Sequence, residues 1–204
     1  MIEILIVDDH PIMRFGIASI IGAQPDMKVV GQAGSGEEGV DLFGRLHPDL
    51  TLMDLQLPNM SGASAIRNIR SQSSKAKVIV LTTYKGEEDI FQALRSGASG
   101  YLIKGISHDR LVEAMRIVHS GKTYLSPEIS SKLTTRTPDA ILSTREREVL
   151  ALIAEGDGNK QIGKKLGLTE GTVKCHVGSI LGKLQVEDRT QALVIALQRG
   201  LIHI

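Results

Sequence analysis

Five short runs rich in Val, Ile and Leu, at residues 2–7, 28–33, 49–53, 77–82 and 100–103, alternate with amphipathic stretches of helical period through the first 120 residues. Such alternation leaves few folds open, because parallel strands need a crossover between them and a helix is the usual one. It predicts an α/β, doubly wound, five-stranded parallel sheet. Helix starts are marked by Pro11, and by Ser35 with Glu38 and Ser143 with Glu146, both pairs spaced as reciprocal capping boxes. After His119 the texture changes to a stretch rich in Ser, Thr and Pro, which reads as a linker over 122–139 with one short helix near 127–133. Helical patterns then follow at about 144–154, 159–166, 170–184 and 189–198 with no strand run between them. The expected organisation is therefore a first domain over 1–121, a linker, and a smaller all-α domain over 140–204.

Bulk properties exclude more than they suggest. Lys plus Arg total 24 and Asp plus Glu 23, so net charge gives no global sign of nucleic-acid binding. Residues 1–121 carry 12 basic and 14 acidic side chains and residues 140–204 carry 9 and 7, a weak basic bias in the C-terminal part. The single cysteine, Cys175, rules out an intramolecular disulfide. With no apolar run of roughly 18 residues and no signal-peptide series at the start, a soluble cytosolic protein is expected, with no membrane partner. An aromatic content of 3% without Trp argues against stacking-based binding of single strands.

Three carboxylates stand at the ends of two of the strand runs. ILIVDD (4–9) delivers Asp8 and Asp9, and LTLMD (50–54) delivers Asp54. An apolar run that stops on acids predicts a buried strand whose tip opens into a polar crevice, the usual ligand position in open α/β sheets. Any one of these acids could simply end a strand and cap a helix. With LTTY (81–84) and YLIK (101–104) closing two more runs, however, Thr82 and Lys104 fall on the same sheet edge. Clustered hard oxygens suit Mg²⁺, and a carboxylate beside such an ion could act as a nucleophile toward phosphorus. Asp54 is the natural candidate, with a hydroxyl (Thr82) and an ammonium (Lys104) to neutralise the transferring oxygens. His10, beside Pro11 at a helix start, reads as structural.

The motifs VDDHP (7–11), DLQLPNMSG (54–62), LT (81–82) and GYLIK (100–104) resemble a response-regulator receiver domain in order, spacing and residue type. The resemblance implies that Asp8, Asp9, Asp54 and the backbone carbonyl of Gln56 hold Mg²⁺, that Asp54 accepts a phosphoryl group, and that Thr82 and Lys104 bind it. It also implies that Tyr101 is an aromatic switch that packs inward as Thr82 is drawn toward the phosphoryl group. Ser61 stands where many receivers carry an acid or Asn, and is expected to cap a helix.

In the C-terminal part, LSTREREVL (142–150), GNKQI (158–162) and LTEGTVKCH (168–176) read as helix, helix, short turn, helix. Projected at 100° per residue, Val173, Val177, Ile180, Leu181 and Leu184 form one apolar stripe. The opposite face carries Gly171, Cys175, Gly178, Ser179 and Gly182, flanked by Lys174 on one side and Thr172, His176 and Lys183 on the other. A core-packed amphipathic helix explains the bare stripe. The ERE, NKQI, GTVKCH, KL and DRTQA segments, however, resemble the LuxR-type DNA-binding domain, and the whole chain resembles the NarL/FixJ family of response regulators. The resemblance implies that Lys160, Thr169, Thr172 and Lys174 touch phosphates or base edges, within a DNA-binding set that also takes in Val173, Cys175, His176 and Gly178. It further implies that the last helix, through Gln191, Val194 and Ile195, pairs two subunits when the protein is phosphorylated or DNA-bound. Gly178 and Gly163 depart from the family pattern, each at about 1 kcal/mol of helix stability relative to Ala. The small residues predict close backbone approach with limited direct readout, so that specificity leans on DNA shape.

The function expected from these features is a transcriptional regulator of double-stranded promoter DNA. It would be switched by Mg²⁺-dependent phosphorylation from a histidine kinase and would not be an enzyme. The alternative is a receiver-containing regulator that works without phosphorylation. An aspartate-nucleophile phosphatase needs a second acid in the loop of its nucleophile, and Leu55 and Gln56 supply none. A dinucleotide-binding module is less favoured still, because DDHP stands where GxGxxG would be needed.

Overall fold

The computed structural model describes residues 1–83, 86–126, 129–130 and 142–202. Contacts divide the chain into two compact units, an N-terminal α/β unit and a C-terminal helical one. The apolar runs form strands β1 (Ile2–Val7), β2 (Met27–Ala33), β3 (Leu50–Met53), β4 (Val78–Thr82) and β5 (Gly100–Ile103). Between and after them lie α1 (Pro11–Gly22), α2 (Gly36–Leu46), α3 (Gly62–Gln72), α4 (Glu87–Arg95) and α5 (His108–His119). The all-parallel sheet has the order β2-β1-β3-β4-β5, with a sixth strand, β6 (Tyr124–Leu125), beyond β5. β3 and β4 are buried along their whole length, which is why they read as continuous apolar runs with no alternation.

One sheet face carries Ile4, Ile6, Leu50, Leu52, Ile79, Leu81 and Leu102. It packs against Ile17 and Ile21 of α1 and Leu111, Met115 and Val118 of α5. On the other face Gly39 of α2 lies against Val7, where a Cβ would come within 2.8 Å of both its methyl groups, so the helix sits close to β1. With strand order reversing between β1 and β3, the crevice opens at the carboxyl ends of those two strands, where Asp8, Asp9 and Asp54 emerge.

The sheet has one strand more than the five predicted. β6 falls inside the stretch read as linker, and it escaped notice because two residues are too few to show a period. Its bonds are made by the backbone, Tyr124 pairing with Gly100 and Leu125 with Tyr101. The helix expected near 127–133 lies outside the described residues except at 129 and 130, and so do Tyr84 and most of the linker.

Caps follow the sequence closely. Ser143 and Glu146 form a complete capping box, each side chain accepting from the other's backbone N–H. Ser35 makes only half of one, because Glu38 takes the N–H of Gly34 instead. Ser61 accepts from the Ser64 N–H and caps α3.

The C-terminal unit consists of α6 (Thr144–Ala154), α7 (Asn159–Leu166), α8 (Glu170–Leu184) and α9 (Arg189–Arg199). Its core is built from Leu142, Val149, Leu150, Ile153, Ile162, Val173, Ile180, Leu184, Ala192 and Ala196, with Val177 and Leu181 partly buried against it. The stripe predicted on α8 is thus the buried face of that helix. Each fully buried Leu or Ile contributes about 1.5–3 kcal/mol, which holds α8 against α6 and α7.

Candidate functional site

Asp8 and Asp54 are almost fully buried at the ends of β1 and β3, at 2% and 4% exposure. The Lys104 ammonium lies between them, 2.7 Å from Asp8 Oδ2 and 2.6 Å from Asp54 Oδ2. Lys104 is held in turn through its backbone, whose N–H donates to the carbonyl of Thr82 at the tip of β4. Thr82 is fully buried, as is Tyr101 on β5. Asp54 is fixed from below by its N–H on the Val7 carbonyl, and its Oδ1 accepts from the N–H of Gln56. The residues named from the tips of separate strands therefore meet at one end of the sheet.

Burial pushes the Asp54 carboxyl above its ordinary range, with Asp8 adding repulsion; the hydrogen bond and charge of Lys104 pull it back only in part. Burial alone would lower Lys104, but its hydrogen bonds to Asp54 and Asp8 outweigh that and hold the ammonium charged. Two carboxylates face one ammonium and Asp9 stands close by, so the pocket carries surplus negative charge, and a divalent cation fits it. Ligand atoms of Asp8, Asp9, His10 and Asp54 lie within 4.8 Å of one another, and the carboxylates are the hard oxygen donors that Mg²⁺ prefers.

His10, read from the sequence as structural, and Arg14, not named there, also shape this pocket. The N–H of His10 donates to Asp8 Oδ1 at 2.8 Å, fixing the carboxylate that faces Lys104. Arg14, one turn into α1, donates from Nη1 to the Asp8 carbonyl. Neither contact has a local sequence signal, since both depend on how the β1–α1 turn folds back.

In the C-terminal unit Thr169 caps α8 by accepting from the Thr172 N–H, and the two hydroxyls lie 2.9 Å apart. Lys160, Lys174, Cys175 and Gly178 are exposed and His176 is half-exposed, whereas Lys174 pairs with Glu170 one turn back at 3.3 Å. Val173 does not belong with them. It is fully buried in the helical core, which removes it from any DNA-facing surface. Ser179, though exposed, and half-buried Lys183 are tied to α6, since the hydroxyl and ammonium both donate to Glu146.

Gly163 has a steric reason. A Cβ there would stand 2.7 Å from the carbonyl oxygen of Leu168. Gly178 has none, because a Cβ there meets nothing within 4 Å. Gly178→Ala is therefore expected to stabilise the C-terminal unit by about 1 kcal/mol. Urea denaturation checks this, and a lowered midpoint would refute it.

On α9, Gln191 is exposed but engaged locally, its side-chain carbonyl accepting from the Glu187 N–H. Ile195 packs partly on the core, while Val194 and Leu197 expose 49% and 41% of their surface. The unpartnered apolar surface of this helix is thus Val194 with Leu197. Among the described residues no helix is long and apolar enough to cross a membrane.

Comparison with known proteins divides the chain along the same lines. Residues 4–116 match the response regulator receiver domain family, and residues 140–196 match the LuxR family of bacterial regulatory proteins. Over the whole length of both proteins the chain is 39% identical to the transcriptional regulatory protein LiaR of Bacillus subtilis. It is 38% identical to the nitrate/nitrite response regulator NarL of Escherichia coli, over 94% of this chain and 93% of that one. Among solved structures, the response regulator ChrA of a heme-sensing two-component system is 35% identical, with a TM-score of 0.58 over 98% of each chain. RcsB in complex with DNA is 27% identical, with a TM-score of 0.70 over 97% of this chain and 98% of that one.

Proposed function

Because this chain belongs to the NarL/FixJ family of two-component response regulators, DNA-binding proteins that join a receiver to a LuxR-type helix-turn-helix domain, we propose that its output is switched by phosphorylation of Asp54 from a histidine kinase. The observation that carries the proposal is the Lys104 ammonium bridging buried Asp8 and Asp54. A structural ion pair needs one carboxylate; two carboxylates on one ammonium, next to exposed Asp9, make a pocket suited to a dication, which would offset the charge of an incoming phosphoryl group.

A carboxylate oxygen of Asp54 attacks phosphorus, forming an O–P bond as the bond from phosphorus to the kinase histidine nitrogen breaks. Lys104 then pairs with the transferred phosphoryl oxygens, and the Thr82 hydroxyl donates to them. Asp8, Asp9, Asp54 and the Gln56 carbonyl would hold Mg²⁺, which when bound offsets the repulsion between carboxylate and phosphoryl group. Drawing Thr82 toward the phosphoryl group alters the packing around Tyr101, and this biases the receiver between two states.

On the output side, Lys160, Thr169, Thr172 and Lys174 contact phosphates or base edges of double-stranded promoter DNA, with Cys175, His176 and Gly178 toward the groove. Subunits pair through α9, with Val194 joined by Ile195 and Gln191. The likeness to RcsB bound to DNA supports this reading. We place the receiver at 1–121, the linker at 122–139 and the DNA-binding domain at 140–204, in a cytoplasmic protein that turns over no substrate of its own. The intact acid set speaks against a regulator that works without phosphorylation.

The test is intact mass after incubation with Mg²⁺ and a small acyl phosphate. One phosphoryl group is expected on the wild type, and none on Asp54→Ala or when Mg²⁺ is left out. No gain under any condition would overturn the proposal and favour a phosphorylation-independent regulator.

A further inference from the structure

The acid pocket has a nitrogen donor at its mouth that Mg²⁺ chemistry does not call for. The imidazole Nδ1 of His10 lies 2.7 Å from Asp9 Oδ1 and 3.2 Å from Asp8 Oδ1. In an octahedral site with bonds of about 2.1 Å, neighbouring ligands sit about 3.0 Å apart. The imidazole nitrogen thus stands from each of the two carboxylate oxygens at about the spacing of an adjacent octahedral ligand, and all three donors lie within 4.8 Å of one another. His10 is the N-cap residue of α1, held by its own N–H on Asp8 and followed by the rigid Pro11. Its side chain is 66% exposed, so it approaches from the solvent side while Lys104 closes the buried side.

We infer that His10 is a ligand in this chain, completing a two-carboxylate, one-imidazole set that takes a transition-metal dication in the position otherwise filled by Mg²⁺. The inference rests on the reading of Asp8 and Asp9 as cation ligands. Carboxylates and water suit Mg²⁺, whereas an imidazole nitrogen adds affinity for later first-row ions such as Co²⁺ and little for Mg²⁺. Both kinds of ion then charge the same pocket, and transition-metal supply bears on how readily it is loaded.

A purely positioning imidazole, donating to Asp9 and orienting it, makes the opposite forecast, since it serves both ions alike. The two are separated by titration calorimetry of the full-length protein with MgCl₂ and with CoCl₂. The variants are His10→Gln and Asp9→Ala, and visible absorption of the bound Co²⁺ reports a nitrogen ligand. His10→Gln is expected to weaken Co²⁺ by at least about tenfold and Mg²⁺ by less than about twofold. Asp9→Ala weakens both, which locates the cobalt in this pocket and not on another histidine. Equal losses for the two ions in His10→Gln, or no loss for either, overturn the inference. Failure of the wild type to bind Mg²⁺ overturns instead the reading of the pocket beneath it.

Discussion

Gly62→Ala is expected to lower the stability of the receiver by about 3 kcal/mol and to abolish phosphoryl uptake at Asp54. Gly62 opens α3, where alanine would ordinarily be the better residue, so the sign of the effect is itself diagnostic. A Cβ at this position would stand 1.9 Å from the carbonyl oxygen of Asp54 and 2.8 Å from the Cα of Leu55. Both are backbone atoms, and neither can rotate away. The Asp54 N–H is bonded to Val7 in the centre of the sheet, and the Gly62 N–H is bonded to Leu55. Relief therefore requires either α3 to lift from the sheet or the Asp54 peptide to turn, and the second takes the carboxylate off Lys104. Thermal melting of the full-length protein together with the mass assay measures both effects. Gly16→Ala in α1, whose Cβ meets nothing, serves as a control expected to melt slightly higher. A Gly62→Ala protein that melts with the wild type and still gains a phosphoryl group would refute the steric argument.

The second large effect is expected in the other unit, where Glu146→Ala should cost about 3 kcal/mol and weaken DNA binding through α8. Glu146 closes the Ser143 capping box and also accepts from Ser179 Oγ at 2.6 Å and Lys183 Nζ at 2.7 Å, so one buried carboxylate ties α6 to the helix proposed to enter the groove. Burial raises its pKa, but the hydrogen bonds from Lys183, Ser179 and Ser143 together outweigh that and bring it to about 2, from 4.5. A depressed carboxylate stabilises the fold fully above its unfolded pKa and less as pH falls toward its folded one. The contribution, about 3 kcal/mol, is thus present at neutral pH and lost between about pH 4.5 and 2. Hydrogen exchange of the α8 amides across that window should show steep loss of protection in the wild type and a flatter profile in Glu146→Gln. Identical profiles would refute the assignment.

Most of the fold was legible because its signals are periodic or local. The observed strands β1 to β5 and helices α6 to α9 lie within a residue or so of the ranges predicted, and the acids at strand tips led to the pocket through a topological rule. What escaped is long-range or small. The reach of Glu146 to Ser179 and Lys183 spans more than thirty residues, so helical projection placed Ser179 opposite the apolar stripe and Lys183 on its flank without revealing their common partner. The approach of Gly62 to Asp54 and the reason for Gly163 depend on backbone atoms that no pattern of side chains records. Val173 carried two contradictory marks, a place in the apolar stripe and a place in the family's DNA-binding stretch, and the stripe was the physical one. β6 gave no signal because two residues held by main-chain bonds are too few to show a period.

That last fact bears on what sequence comparison can reveal. Leu125 pairs alongside Tyr101, and the Tyr124 N–H donates to the carbonyl of Ser99, so any displacement of the β5 backbone would carry residues 124 and 125 with it. The Tyr124 side chain adds to this tie, since it packs, partly buried, against the core on one sheet face. The ladder bonds of β6 hold whatever side chains stand there, so a search for coupled substitutions is a poor means of finding such a tie.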